Sequence, residues 1–277
     1  MLTGYEVRRK IANVSRIGRL VLIFPARGGC RVKTELPYQQ AVVYRAMRRA
    51  GLLQDVDGDR LKPRRGVVAV ICGDGDQSHD IFKYLGDICQ FYGERRVHPV
   101  ALNGGPLLIA KNLPLSANLP DGDVLMRHAL DGADIKQIDV IIVKGHAPCG
   151  AAGKHKADDP EQVVAGILEA RQALRAETER RDPDAARGIR IAPCIQISWG
   201  EENFRRFRQD EAGYATLMRR QRLWLNTRIE FSLIRHGAKR SYFISPQPED
   251  WDAWMKSDER KKALEVAGTV YASTDSW

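Results

Sequence analysis

No apolar run in this 277-residue chain approaches the roughly eighteen residues that a membrane-spanning helix requires, so a protein without a membrane segment is expected. The run Leu20-Val21-Leu22-Ile23-Phe24 follows several basic residues, as the core of a secretory leader would. Pro25 ends it at once, and Arg27-Gly28-Gly29-Cys30 is a poor cleavage site; a short core strand is the better reading. Cysteine is scarce as well. Five residues, an odd number without the dense spacing of a disulfide framework, point to a reducing compartment and predict a cytoplasmic protein. Internal repeats, low-complexity tracts and a clean linker are all missing. A single domain over 1–277 is therefore expected, with an N-terminal arm (1–65), an α/β core (66–200) and a C-terminal extension (201–277). The run Gly73-Asp74-Gly75-Asp76 lacks both the Lys-Ser/Thr of a phosphate-binding P-loop and the longer carboxylate series of a calcium loop.

What is present is an ordinary globular composition, 43% hydrophobic and 29% charged, with a formal net charge of +9. More than half of that charge lies in residues 201–240, which hold ten Lys or Arg against five Asp or Glu. Arg205, Arg206, Arg208, Arg219, Arg220, Arg222, Arg228 and Arg235 interleave there with Phe204, Phe207 and Trp224, a composition that can grip phosphates and stack bases. No nucleic-acid motif accompanies it, and we read it as a solvated helical face with its aromatics turned inward. A basic surface also attracts small anions such as bicarbonate.

Periodicity orders the rest. Val42, Val43, Ala46, Met47 and Ala50 recur at helical spacing behind Pro37 and stop at Gly51, predicting a helix over 38–50. From 66 to 200 strand and helix patterns alternate, the signature of a mostly parallel sheet with crossover helices. Strands are expected at 67–71, 97–102, 140–143 and 189–197, the last interrupted or bent at Pro193 and near an edge. Helices are expected over 80–92 and 123–138 and from Pro160, where Val163, Val164, Ile167 and Leu174 make an apolar stripe. A short strand at 242–244 and a helix from Pro248, with Trp251 and Trp254 on one face, complete the extension.

Two motifs carry the chemistry. Cys72-Gly73-Asp74 follows one β-branched run, and His146-Ala147-Pro148-Cys149-Gly150 follows another. In an open parallel sheet the carboxyl ends of the strands face the ligand crevice, so two adjacent strands would aim both motifs at one point. Two thiolates, one imidazole and one nearby carboxylate suit zinc, which takes sulfur and nitrogen donors tetrahedrally and in catalytic sites keeps one position for water. Cys72, His146 and Cys149 are thus the expected metal ligands. Cys30, Cys89 and Cys194 have no such company and are expected to be inert thiols; His79 and His155 are minor candidates for proton shuttling.

The pattern Cys-x-Asp, followed much later by Gly145-His146-Ala147-Pro148-Cys149-Gly150, resembles the β class of carbonic anhydrases over roughly residues 65 to 200. The resemblance implies a β-carbonic-anhydrase-like α/β fold and zinc held by the two cysteines and the histidine. It implies reversible hydration of CO2 to bicarbonate by zinc-bound hydroxide, and a homodimer or larger even assembly with N-terminal helices reaching across to a second subunit. The family's first motif usually continues Cys-x-Asp-x-Arg, its Arg pairing with the Asp so that the carboxylate stays off the metal or accepts a hydrogen bond from zinc-bound water. Here that position is Asp76, which cannot donate such bonds. Asp74 then has two readings, as the catalytic acceptor of a hydrogen bond from zinc-bound water or as a fourth zinc ligand, and direct ligation is the expected resting state unless Lys144, Lys154 or a basic side chain from elsewhere supplies the missing counter-charge. Two further functions stay open: a zinc hydrolase acting on carbonyl sulfide or carbon disulfide, and a non-catalytic zinc-containing binding or regulatory module.

Overall fold

The computed structural model describes residues 36–55, 61, 63–75, 81–82, 85, 96–116, 120–200, 203 and 239–274. The strand expected at 20–24, most of the helix expected over 80–92, nearly all of the basic segment 201–240, and Cys30, Asp76, His79 and Cys89 lie outside the described residues.

Fully buried β-branched strands require cover on both faces, which is the condition for a parallel sheet inside an α/β layer. β2 (Val67–Cys72) and β4 (Val140–Ala147) meet it, each buried along its whole length. They pair in parallel at the centre of a six-stranded sheet of order β1-β6-β5-β4-β2-β3, where β1 is Leu53–Asp55, β3 Val97–Leu102, β5 Arg190–Ser198 and β6 Lys239–Ile244. The block β5-β4-β2-β3 is parallel, and β6 and β1 add antiparallel pairs at one edge. The fold is therefore α/β with a mostly parallel sheet. β1 was not expected from three residues of unremarkable composition. It exists because Leu53, Gln54 and Asp55 find partners in Ile244, Phe243 and Tyr242, and through this pairing sheet strands come from all three segments of the chain.

One face of the sheet is covered by α1 (Tyr38–Arg49), α2 (Asp121–Lys136), α4 (Pro160–Arg181) and the 3-10 turn Gly105–Leu108. Their apolar positions, among them Tyr44, Met47, Leu107, Ala129, Val163 and Ile167, close on Val68, Val70, Ile141 and Val143. On the opposite face Leu61, Ile81 and Leu85 close on Val67, Ala69, Ile71, Val140 and Ile142. α4 starts where the sequence predicts: Pro160 fills the first turn, and the Asp159 carboxylate accepts the otherwise unpaired N–H groups of Glu161 and Gln162. The short α5 (Pro183–Gly188) leads into β5, and α6 (Pro248–Lys256) and α7 (Asp258–Thr274) follow the sheet. α7 packs along α1, and the Glu161 carboxylate at the start of α4 accepts the Trp254 indole N–H (3.0 Å) and both arms of Arg260 (2.6 and 2.9 Å). Trp254 is buried and Trp251 packs partly buried on the same core.

Two expectations are corrected. The strand at 140–143 continues to Ala147 because β5 pairs alongside it as far as His146↔Gln196 and Ala147↔Ile197; His146 lies within the strand, not after it. Nor is β5 interrupted at Pro193. Pro193 pairs in register with Val143, whereas the pairing with β6 begins only at Cys194, so the missing N–H falls where β5 has a single ladder, the setting a strand proline tolerates. Among the described residues, no helix is long and apolar enough to cross a membrane.

Candidate metal centre

The chain runs from β2 outward to β3 and then returns across β2 to form β4. Adjacent strands whose connections leave in opposite directions open a crevice at their carboxyl ends. Cys72 is the last residue of β2, His146 the penultimate residue of β4, and Cys149 the residue just before the short helix α3 (Gly150–Lys154). The last printed register pair between the strands is Ile71↔Lys144, so Cys72 and His146 stand just past it. Strict alternation would set Cys72 with Val68 and Val70 on one face and His146 with Lys144 on the other. At the strand ends the side chains instead converge, and Cys149 returns to meet them. One donor atom from each of Cys72, His146 and Cys149 lies within 4.8 Å of the others, and all three residues are buried.

The surroundings favour a thiolate at Cys72. The Gly104 N–H donates to Cys72 Sγ at 3.2 Å. Gly105 makes this approach possible, since a Cβ there would stand 2.5 Å from the Cys72 backbone nitrogen, and its φ is +53°. The Cys72 thiol is held far below its ordinary value, chiefly by a hydrogen bond from Cys149 and secondarily by His146 and the Gly104 N–H, against the opposing effect of burial. Cys149 is pushed up, because it retains the proton shared with Cys72 and is buried, although the Ala152 and Ala151 N–H groups act in the other direction.

His146 is 2% exposed, and neither ring nitrogen has a hydrogen-bond partner among the described residues. A buried polar group left unpaired costs about 1–3 kcal/mol, and a metal ion is the partner that suits an imidazole beside two sulfurs. The donor set thus fits a metal of the zinc type. Asp74 sits at the mouth of the cluster, its side chain 28% exposed and its Oδ2 3.8 Å from His146 Nε2. That separation exceeds a hydrogen bond and leaves the carboxylate close enough for either of its expected roles.

The other candidates separate from this point. Lys144 is buried, and its Nζ donates to Ser241 Oγ at 2.8 Å across on β6. Lys154 and His155 are exposed around the end of α3. Cys194 is a free buried thiol on the opposite face from Cys149, pushed up to about 12 by burial. Sequence reasoning missed Tyr44, a buried phenol on α1 whose hydroxyl has no partner among the described residues; Tyr at a buried helical position gives no signal of its own. It also assigned no role to Gly104 and Gly105, whose only mark in the sequence is the turn Asn103-Gly104-Gly105-Pro106.

No family model matches this chain, and no curated protein matches it. Among solved structures it is similar to the β-carbonic anhydrase CafD of the filamentous fungus Aspergillus fumigatus. The wild-type structure is 16% identical with a TM-score of 0.32, covering 52% of this chain and 93% of that one. A mutant of the same enzyme gives 15% identity and a TM-score of 0.34 over the same shares.

Proposed function

We propose that Cys72, His146 and Cys149 hold a zinc ion and that the protein is a carbonic-anhydrase-like lyase interconverting CO2 and bicarbonate. The observation that carries the proposal is the meeting of these three buried donors at the carboxyl ends of adjacent strands. The motif resemblance of Cys72-Gly73-Asp74 and Gly145-His146-Ala147-Pro148-Cys149-Gly150 to the β class names the reaction. Zinc, when bound, supplies the Lewis acidity that makes water nucleophilic near neutral pH. The chain's own part is to fix two sulfurs and one imidazole, to supply N–H groups that favour negative charge on the sulfurs, and to place Asp74 as the proton acceptor at the mouth. Buried apolar side chains around Cys72 and Cys149 keep bulk water from the ligands. The protein acts in this reading as a homo-oligomer in the cytoplasm, on a small-molecule substrate.

A second reading is favoured by the 3.8 Å approach of Asp74 to His146. With Asp76 where the family carries Arg, Asp74 becomes the fourth ligand and the site closes, giving a weak lyase or a non-catalytic zinc module. Stopped-flow CO2 hydration on zinc-matched wild type and Asp76→Arg separates the two. Low wild-type activity raised by Asp76→Arg identifies a closed site, because the guanidinium offers Asp74 a bidentate partner. High wild-type activity lowered by the same substitution identifies an open one, with the acidic residue taking part. Absence of zinc from the purified protein overturns both.

A further inference from the structure

α2 packs on β3, the strand that ends beside Cys72. Where they meet, the His98 imidazole of β3 lies in a notch left by Gly132: a Cβ at that position would stand 2.5 Å from His98 Cδ2 and 2.6 Å from Nε2. One turn on along α2, Lys136 Nζ stands 2.8 Å from His98 Nδ1. An ammonium group has hydrogens to donate and no lone pair, so Nδ1 is the acceptor and the neutral ring carries its hydrogen on Nε2. The ring can take a second proton only by giving up this bond. His128 stands one turn before Gly132, so the helix stripe 128, 132, 136 sets a basic group one turn to either side of the notch. Burial first, then Lys136 and then His128 hold the pKa of His98 below its ordinary 6.5. Asp131 on the same helix is engaged by Arg181 of α4 at 2.7 Å, and no carboxylate among the described residues acts on the ring. β2, paired alongside with Val68 opposite His98, carries no charged side chain before Cys72 at its far end.

We propose that His98 is an acid-sensitive clasp that holds β3 against α2 and, through β3, steadies the turn beside the metal centre. The link to the centre is short. Leu102, the last residue of β3, accepts the Gly73 N–H at 2.8 Å, and Gly104 donates to Cys72 Sγ at 3.2 Å. Protonation of His98 sets a positive charge against Lys136 and breaks the 2.8 Å bond, which loosens the start of the strand. Because the folded-state pKa lies below the unfolded value of 6.5, the contribution of the clasp is whole above pH 6.5 and is lost as pH falls below it. The part that concerns the centre rests on the function proposed above. Hydration of CO2 releases a proton, so in that reading the clasp responds to a product of the reaction.

The test is amide hydrogen exchange in β3 of the zinc-loaded full chain, read as protection relative to the unstructured rate, at about pH 7.5 and about pH 5.5. Wild type and His98→Gln are compared, and the rate of zinc transfer to a chelator is followed on the same samples. Gln keeps an acceptor for Lys136 and has no proton to gain. Wild type should therefore lose protection in β3 several-fold on acidification, while His98→Gln keeps it. Zinc transfer should accelerate several-fold more in wild type than in His98→Gln, since protonation of the ligands themselves speeds both alike. Equal loss of protection in the two proteins, or none in either, overturns the clasp and leaves the metal site intact. Loss confined to wild type with equal zinc transfer overturns the coupling to the centre. A wild-type protein that holds no zinc overturns the metal site, and the exchange arm, run without metal, still decides the clasp. Should His98→Gln not fold, the imidazole titration of wild type followed by NMR is the second arm. His98 titrating below 6.5 supports the clasp, and titration at or above 6.5 overturns it.

Discussion

Cys149 and Cys194 are equally buried, each 4% exposed, on opposite faces of the same sheet. Around Cys149 the chain gathers a second thiol, an unpaired imidazole and the N–H groups of Ala151 and Ala152. Around Cys194 it gathers Val140, Ile142 and Phe243, with burial pushing the thiol up to about 12 despite the Lys144 charge. Burial alone therefore says nothing about a cysteine's chemistry. The polar groups that converge on it decide whether it is a ligand or a piece of core.

Substitution separates the two regions most sharply. Cys149→Ser should reduce bound zinc from about one ion per chain to almost none, since a site with three protein ligands loses a thiolate, while Cys194→Ser should leave zinc content unchanged. Elemental analysis of both purified variants decides it, and equal zinc content in the two would erase the distinction drawn here.

Alkaline pH should separate them next. The folded-state pKa of Cys194 stands above its unfolded value of 9.0, so its contribution is fully present below pH 9 and is lost as pH rises from 9 through about 12. The unfolded chain ionises first and is favoured in that window. The whole effect is about 4 kcal/mol at most. Urea midpoints across pH 8 to 12 should fall less steeply for Cys194→Ala than for wild type; parallel curves would show that Cys194 ionises as easily in the fold as outside it.

The backbone around Cys72 offers a subtler test. A side chain at position 105 meets the Cys72 backbone at 2.5 Å with φ at +53°, so Gly105→Ala should cost about 1–3 kcal/mol and weaken zinc binding by displacing the Gly104 N–H from Cys72 Sγ. Thermal melts and chelator competition measure the two effects, and a loss of stability with unchanged zinc affinity would detach the turn from the site. The smallest effect is expected farthest away. Glu161→Gln weakens the tie to Arg260 and Trp254, should lower stability by about 1 kcal/mol, and should leave zinc content untouched.

Much of this was legible beforehand, for identifiable reasons. β2 and β4 announce themselves as β-branched runs because both of their faces are buried, and α4 announces itself because Pro160 opens an apolar stripe of Val163, Val164, Ile167 and Leu174. Cys72, His146 and Cys149 were legible as a set because metal-ligand chemistry restricts residue type and spacing. β1 was not legible, since its three residues become a strand only by pairing with β6 from the other end of the chain. The continuity of β5 through Pro193 depends likewise on where its neighbour begins, which no local pattern records.

The sequence by itself determined which residues carry chemistry, because donor type is a covalent property of each side chain, and it determined the α/β layering, because hydrophobic period follows residue order. Only the tertiary structure decided that the carboxyl ends of β2 and β4 lie side by side, that the imidazole and thiols converge there despite the alternation of the strands, and that Gly104 brings its N–H against Cys72 Sγ. Those facts depend on strand order, register and helix docking. Each is set by contacts between residues distant in the chain, and none leaves a mark in the residues on either side of it.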